Sequence, residues 1–302
     1  FLGLSGERGA EMRREDASGH LAAIVTILIW GTTFISTKIL LRDLRPVEIL
    51  FARFVLGFFA LAAVFPHRMK VTERRQELYF ALAGLCGVCL YYLLENMALM
   101  ETQASNVGVI ISIAPFFTAI MTWLTARRDE RMRPAFFIGF AAAMAGIGLI
   151  SFNGAGLEVN PQGDLLAVMA AFVWSCYSVL VKKVSSFGYH AVQSTRRIFA
   201  YGLVFMIPAL FLFGFRPDLS LFIRPAALLP LLYLGLGASA LCFVTWTAAV
   251  KYLGAVRTSV YIYMVPVITI AASALILHEP VTPYLLFGTA LTLAGLFLSE
   301  LK

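Results

Sequence analysis

Ten runs of about twenty mostly apolar residues follow one another along this chain, with only short joints between them. They cover roughly 20–41, 46–66, 77–99, 103–126, 134–152, 163–184, 189–213, 226–248, 255–277 and 283–301. A helix rises about 1.5 Å per residue, so about twenty residues match a hydrocarbon core roughly 30 Å thick. Barrel strands would be shorter and would alternate polar with apolar positions. Lipid satisfies no backbone N–H or C=O, which leaves the helix as the spanning form. The sequence therefore predicts an all-α membrane protein of ten transmembrane helices, with no soluble domain left over. The first run is long enough to cross and is read as a span, not as a cleaved signal. Residues 1–18 are read as an N-terminal tail, with Phe1 to about Glu11 either an added segment or part of that tail.

Composition agrees. Hydrophobic residues make up 60% of the chain and charged residues 14%, against about 25% charged in globular domains. The net charge of +7 sits in joints between apolar runs, which reads as loop charge and not as a nucleic-acid surface. With the N-terminus in the cytoplasm, sixteen Lys and Arg fall on the cytoplasmic side. Lys38, Arg42, Arg45, Arg216 and Arg224 fall outside, and Arg53, Arg196 and Arg197 fall within helices. That asymmetry predicts both termini inside. The expected setting is a bacterial inner membrane. The expected partners are lipid and a small-molecule substrate, with no nucleic acid and a monomeric chain.

Catalytic chemistry finds little to work with. The four histidines, His20, His67, His190 and His278, fall at helix ends or in loops, as do the aspartates. No G-x-S-x-G or H-E-x-x-H occurs. Cys86 and Cys89 form a C-x-x-C inside an apolar run, where packing is the ordinary role. Neither enzyme, metal nor cofactor is predicted. A channel would need a ring of pore charges, and none is evident.

The two halves echo each other. Gly19, Leu21, Trp30 and Lys38 map onto Gly163, Leu165, Trp174 and Lys182 at an offset of 144. Ala98, Ala104, Pro115 and Thr118 map onto Ala249, Ala255, Pro266 and Thr269 at 151. Glu130, Gly139, Ala145 and Gly146 map onto Glu279, Gly288, Ala294 and Gly295 at 149. Five helices per half is an odd number, so the second copy would enter the membrane from the opposite side. Such inverted repeats place a transporter's substrate near the midplane and allow two related conformations.

The run Trp30-Gly31-Thr32-Thr33-Phe34, Arg53, the stretch from Ala98 to Pro115, its echo from Ala249 to Pro266, and then Glu279-Pro280, Gly288 and Gly295 resemble the EamA-type members of the drug/metabolite transporter superfamily. The resemblance covers the chain from about residue 19. It implies two EamA-like repeats, 19–153 and 154–302, and export of small metabolites. The aromatic midplane resembles the amino-acid exporters, including those for aromatic amino acids. Helix 6 departs from the pattern with Ser175 where helix 1 has Gly31. The wider superfamily also implies alternatives: a multidrug or organic-cation exporter, or a nucleotide-sugar or phosphate-ester antiporter.

The candidate substrate residues follow from depth and spacing. Trp30 and Trp174 lie mid-helix, away from the interfacial belts that Trp prefers. Tyr92, Glu95 and Asn96 share a face of helix 3 beside Tyr91. A carboxylate in lipid costs roughly 2.5–3.5 kcal/mol on insertion scales, so Glu95 should face protein or water. Tyr177, Tyr261 and Tyr263 complete the set, with Thr258, Asn106 and Ser112 as further polar candidates. Pro115 and Pro266 are read as hinges, because each removes a backbone hydrogen bond. Arg53 and Arg197, which match at offset 144, are read as structural clamps near helix ends. Glu95 and Glu48 are the two carboxylates available within the spans to carry protons.

Overall fold

The apolar runs form helices, and the polar joints supply their ends. The computed structural model describes residues 2–67, 69–125, 134–151, 161–216, 220 and 224–300. Its helical runs are α1 (Leu2–Leu40), α2 (Pro46–Val64), α3 (Arg74–Glu101), α4 (Ala104–Leu124) and α5 (Pro134–Ser151). The second half adds α6 (Pro161–Ser185), α7 (Ala191–Leu212), α8 (Pro225–Leu253), α9 (Ala255–Ile276) and α10 (Pro283–Glu300). Among the described residues there is no strand. Eight of these runs are long and apolar enough to cross a membrane. The apolar parts of α5 and α10 are shorter, Phe137–Ile150 and Pro283–Leu298. The helix α1 extends back through the N-terminal tail to Leu2. Arg68, Arg127, Arg128, Arg131, Arg133 and Lys302, which enter the charge asymmetry, lie outside the described residues, as does Glu130.

Large apolar side chains face outward. Phe211 is 83% exposed and Leu212 80%. In water such a surface would aggregate, whereas lipid is its natural solvent.

Packing follows the sequence offsets. α1 lies along α8 as α6 lies along α3, and α1 meets α9 as α6 meets α4. α2 packs on α8 as α7 packs on α3, and α5 pairs with α10. The irregular segments recur at matching places as well. α3 is π-helical over Leu85–Leu90 and α8 over Tyr233–Leu241. α4 is interrupted at Ser112 and Ile113, and α9 tightens to a 3₁₀ turn over Val260–Met264. Each of the latter breaks comes just before a proline, Pro115 or Pro266. Proline has no N–H, and its ring crowds the carbonyl four residues back, so the helical ladder cannot run through.

The joints are tied by carboxylates. Glu48 accepts from Arg45 N at 2.9 Å and Arg216 N at 3.1 Å. It thus caps α2 and holds the α7–α8 joint, which takes it out of the set of free proton carriers. Glu279 reaches from the α9–α10 joint to the start of α4. It accepts from Ala104 N at 3.0 Å, Ser105 N at 3.1 Å and Ser105 Oγ at 2.8 Å. A carboxylate there meets both orphan amides and the positive end of the helix dipole. His278 takes a φ of 55° just before it, turning the chain back toward α4. Lys38 Nζ donates to Thr102 O and so caps the end of α3.

Close approach of α5 and α10 depends on glycine. A Cβ on Gly146 would lie 2.4 Å from Thr292 Oγ1 and 2.5 Å from Gly288 O, and one on Gly295 2.4 Å from Gly139 O. Small residues let membrane helices approach backbone to backbone. Gly148, two residues from Gly146, meets nothing within 4 Å. We expect Gly146→Ala to cost about 1–3 kcal/mol through overpacking. Its thermal midpoint in detergent should fall by several degrees, while Gly148→Ala stays at the wild-type value or above it. Equal midpoints for the two variants would rule out a backbone-tight seam.

Candidate functional site

The interior is built on tryptophan. Trp30 of α1 and Trp174 of α6 meet with ring centroids 5.0 Å apart and planes 88° from parallel. Trp246 of α8 lies 5.2 Å from Trp30 and 5.6 Å from Trp174. Tyr91 lies 4.8 Å from Trp174, and Phe243 lies 6.0 Å from each of Trp30 and Trp174. Edge-to-face pairs set a positive ring edge against a negative face, so such a cluster is held by geometry as well as by burial. The π-helical segment of α3 ends at Leu90, and Tyr91 and Tyr92 open the α-helix that follows. Tyr91 turns to α6, and Tyr92 turns to Phe54 of α2, 5.1 Å away.

Beside the cluster lies a cavity of about 20 Å³, room for about one water. Trp30, Phe34, Tyr91, Tyr92 and Trp174 form its aromatic wall, and Glu95 is its one acid. Ile111 and Ile262 close it from α4 and α9. These two isoleucines correspond at offset 151 and stand four residues before Pro115 and Pro266. The proline breaks therefore lie at the cavity wall. At one end of the bundle His20 and Tyr261 share a hydrogen bond between α1 and α9. At the other, a cleft of about 450 Å³ opens beside Lys38, Arg42, Gln103 and Glu279.

Polar groups in this interior are unevenly matched. Trp30 Nε1 donates to Ala238 O at 2.9 Å, a carbonyl inside the π-helical segment of α8. Trp174 Nε1 and Trp246 Nε1 have no partner among the described residues. Glu95 is 1% exposed and its Oε1 is likewise unpaired. Arg53 is fully buried and not at a helix end. Its Nε donates to Ser239 Oγ at 3.0 Å, its guanidinium lies 4.3 Å over the Tyr92 ring, and Nη1 and Nη2 are unpaired.

Of the residues singled out in the sequence, Trp30, Tyr91, Tyr92, Glu95 and Trp174 come together at the cavity. Asn96 is turned away, with Nδ2 donating to Pro46 O at 3.1 Å. Tyr177 stands behind Trp174, 4.8 Å between centroids. Tyr261 serves the His20 end, and neither it nor Tyr263 lines the cavity, where Ile262 and Val265 do. Thr258, Ser112 and Asn106 bond within their own helical turns. Arg197 pairs with Glu77 and shares it with Tyr201, joining α3 to α7.

Trp246 and Phe243 were not foreseen. The offset of 151 carries Glu95 to Trp246 and Tyr92 to Phe243, so the repeat held the signal. Matching by identity alone hid it, because the residue types differ.

The description "EamA-like transporter family" matches residues 17–152 and again residues 161–301. An uncharacterized transporter of Archaeoglobus fulgidus is 31% identical, with 94% of this chain and 97% of that protein covered. A probable terminal-alkyne amino-acid exporter of Streptantibioticus cattleyicolor is 27% identical over 92% of this chain and 91% of its own. A probable amino-acid metabolite efflux pump of Escherichia coli is 25% identical over 95% of each. With both halves matched and its relatives aligned end to end, the chain belongs to the EamA-like transporter family.

Proposed function

We propose that this protein exports small amino-acid-like metabolites, aromatic ones included, by alternating access between two inverted five-helix repeats, residues 19–153 and 154–302. The carrying observation is a water-sized cavity walled by aromatic rings from both halves and holding a single carboxylate, Glu95. Rings of Trp and Tyr stack on an apolar or aromatic side chain. Glu95 receives the ammonium group, with cation–π help from the rings around it. The names of the Streptantibioticus and Escherichia relatives point to the same substrate class. Both termini are placed in the cytoplasm of a bacterial-type inner membrane, as the loop charges direct.

The cavity is too small for an amino acid as it stands. Loading therefore requires helices to part, and the breaks ahead of Pro115 and Pro266 are where α4 and α9 can bend without losing further hydrogen bonds. Carriers gain speed from weak, complementary binding in both facing states. No step of this cycle draws on a cofactor or metal.

A second reading, export of organic cations, is favoured by the same Glu95 and ring arrangement. A phosphate ester is disfavoured, since a polyanion would meet Glu95 in the cavity and find at most one cationic group, Arg53, behind Tyr92.

The test is counterflow in proteoliposomes with tryptophan, phenylalanine, threonine, a nucleotide sugar and an organic cation. Tryptophan should exchange. Trp174→Ala should lower that exchange at least tenfold, while lipid-facing Phe211→Ala leaves it unchanged. Exchange of the nucleotide sugar alone would sink the reading. Exchange of the cation alone would replace it with the second.

Glu95→Gln gives an independent check. A hydrogen bond to a charged group contributes about 1.5–3 kcal/mol. Half-saturation for ammonium-bearing substrates should rise about tenfold or more, with substrates lacking an ammonium group little affected. A pH profile identical to wild type in that variant would separate ammonium binding from proton relay at this position.

A further inference from the structure

Arg53 carries a positive charge in the middle of the bundle with two of its three nitrogens unused. It is fully buried. One nitrogen is anchored, Nε to Ser239 Oγ. Its electrostatic neighbours are Glu95, Tyr91 and Tyr92, the Tyr92 hydroxyl being close enough to interact with it, yet none makes a full hydrogen bond to Nη1 or Nη2. Burial of a guanidinium is ordinarily matched by a carboxylate that accepts both ends of the fork.

Its counterpart in the second half has that match. Arg197 is held by Glu77, through Nε and Nη2 together. The offset of 151 carries Glu77 to Leu228, so the acid that neutralises Arg197 has no equivalent for Arg53. What covers Arg53 instead is a ring. Tyr92 lies 4.3 Å from the guanidinium and lines the cavity with the same side chain. The neighbouring polar groups add to the imbalance. Trp174 Nε1, a donor on a cavity-lining ring, has no partner either. Unpaired donors on Arg53 and Trp174 thus stand beside a cavity whose acid, Glu95, is one turn from Tyr92.

We propose that Arg53 is a carboxylate receptor, masked by Tyr92 in this closed form and exposed to the substrate when Tyr92 swings aside. The substrate's carboxylate then takes the Nη1–Nη2 fork while Glu95 holds its ammonium. Both charges of a zwitterion are matched in this way, and a molecule with only one of them leaves a buried charge unpaired. The inference rests on the amino-acid reading above and adds to it the group that selects amino acids against plain amines.

The test uses ligand-induced thermal stabilisation of the purified full-length protein in detergent, with tryptophan, tryptamine and indole-3-propionate as probes. Wild type should be stabilised by all three, and by tryptophan at the lowest concentration. Arg53→Gln should weaken apparent affinity for tryptophan and indole-3-propionate at least tenfold and for tryptamine less than twofold. Arg53→Lys, which keeps the charge but not the fork, should fall between. Absence of any indole-3-propionate shift in wild type overturns the proposal. So does a folded Arg53→Gln variant that loses all three probes equally, or one that loses none. Should Arg53→Gln fail to fold, Arg53→Lys decides, since unchanged affinities there also overturn the proposal. Tryptophan counterflow by wild type reports separately on the amino-acid reading, so either can fail alone.

Discussion

Every backbone N–H and C=O in the lipid zone needs a partner within the protein, and that requirement shapes the molecule more than any side-chain contact. It makes helices of the apolar runs. It also decides where helices can be broken. The irregular turns at Leu85–Leu90, Tyr233–Leu241, Ser112–Ile113 and Val260–Met264 each bury one side against other helices. There a loosened carbonyl finds a donor, as Ala238 O finds Trp30 Nε1. On the lipid face the same turn would leave an unsatisfied group at a cost of several kcal/mol. The site lies where the ladder is broken because that is the one place where breaks are tolerated.

The ends of the helices obey the same rule by different means. Glu279 and Lys38 each reach across a joint to a neighbouring helix, while Glu48 caps its own helix and holds an amide of the α7–α8 joint. Charges that look like transport machinery in a hydropathy profile are in these cases caps. Depth separates the two uses. Glu48 stands in the first turn of α2 with two backbone donors, while Glu95 is deep in α3 with an oxygen unpaired. A carboxylate at a helix start is satisfied by the chain itself, and one at mid-depth is left for something else.

Periodicity and depth made the helical fold legible, along with Trp30, Trp174, Tyr91, Tyr92 and Glu95. These are large or charged residues in positions where lipid would reject them. Asn96 and Tyr261 share those credentials and were misleading, because one hydrogen bond, to Pro46 O or to His20, takes each away from the cavity. Spacing on a helix fixes which face a residue is on, but not which neighbour that face meets. Arg53 illustrates the same point. Its offset mate Arg197 stands at the same place in its helix but is partly exposed and paired with Glu77, so equal sequence position does not bring equal environment. The π-helical turn of α8 places Ser239 where it draws Arg53 inward.

Agreement and disagreement between the halves have different meanings. The paired π turns, the paired prolines with Ile111 and Ile262, and the reciprocal contacts Gly146–Gly288 and Gly295–Gly139 are features in which the halves agree. All of them concern backbone shape. The departures concern polar groups. Trp30 donates to Ala238 O, while Trp174 is unpaired. Arg197 has Glu77, and Arg53 has the face of Tyr92. Glu95 has Trp246 as its counterpart. A carrier that turns one repeat against the other needs matched frames so that its two facing states lie close in energy. The amino-acid-like substrate proposed above has a distinct head and tail, and a site symmetric in its charges could not tell one end from the other. The frame is therefore free to repeat, and the lining is not.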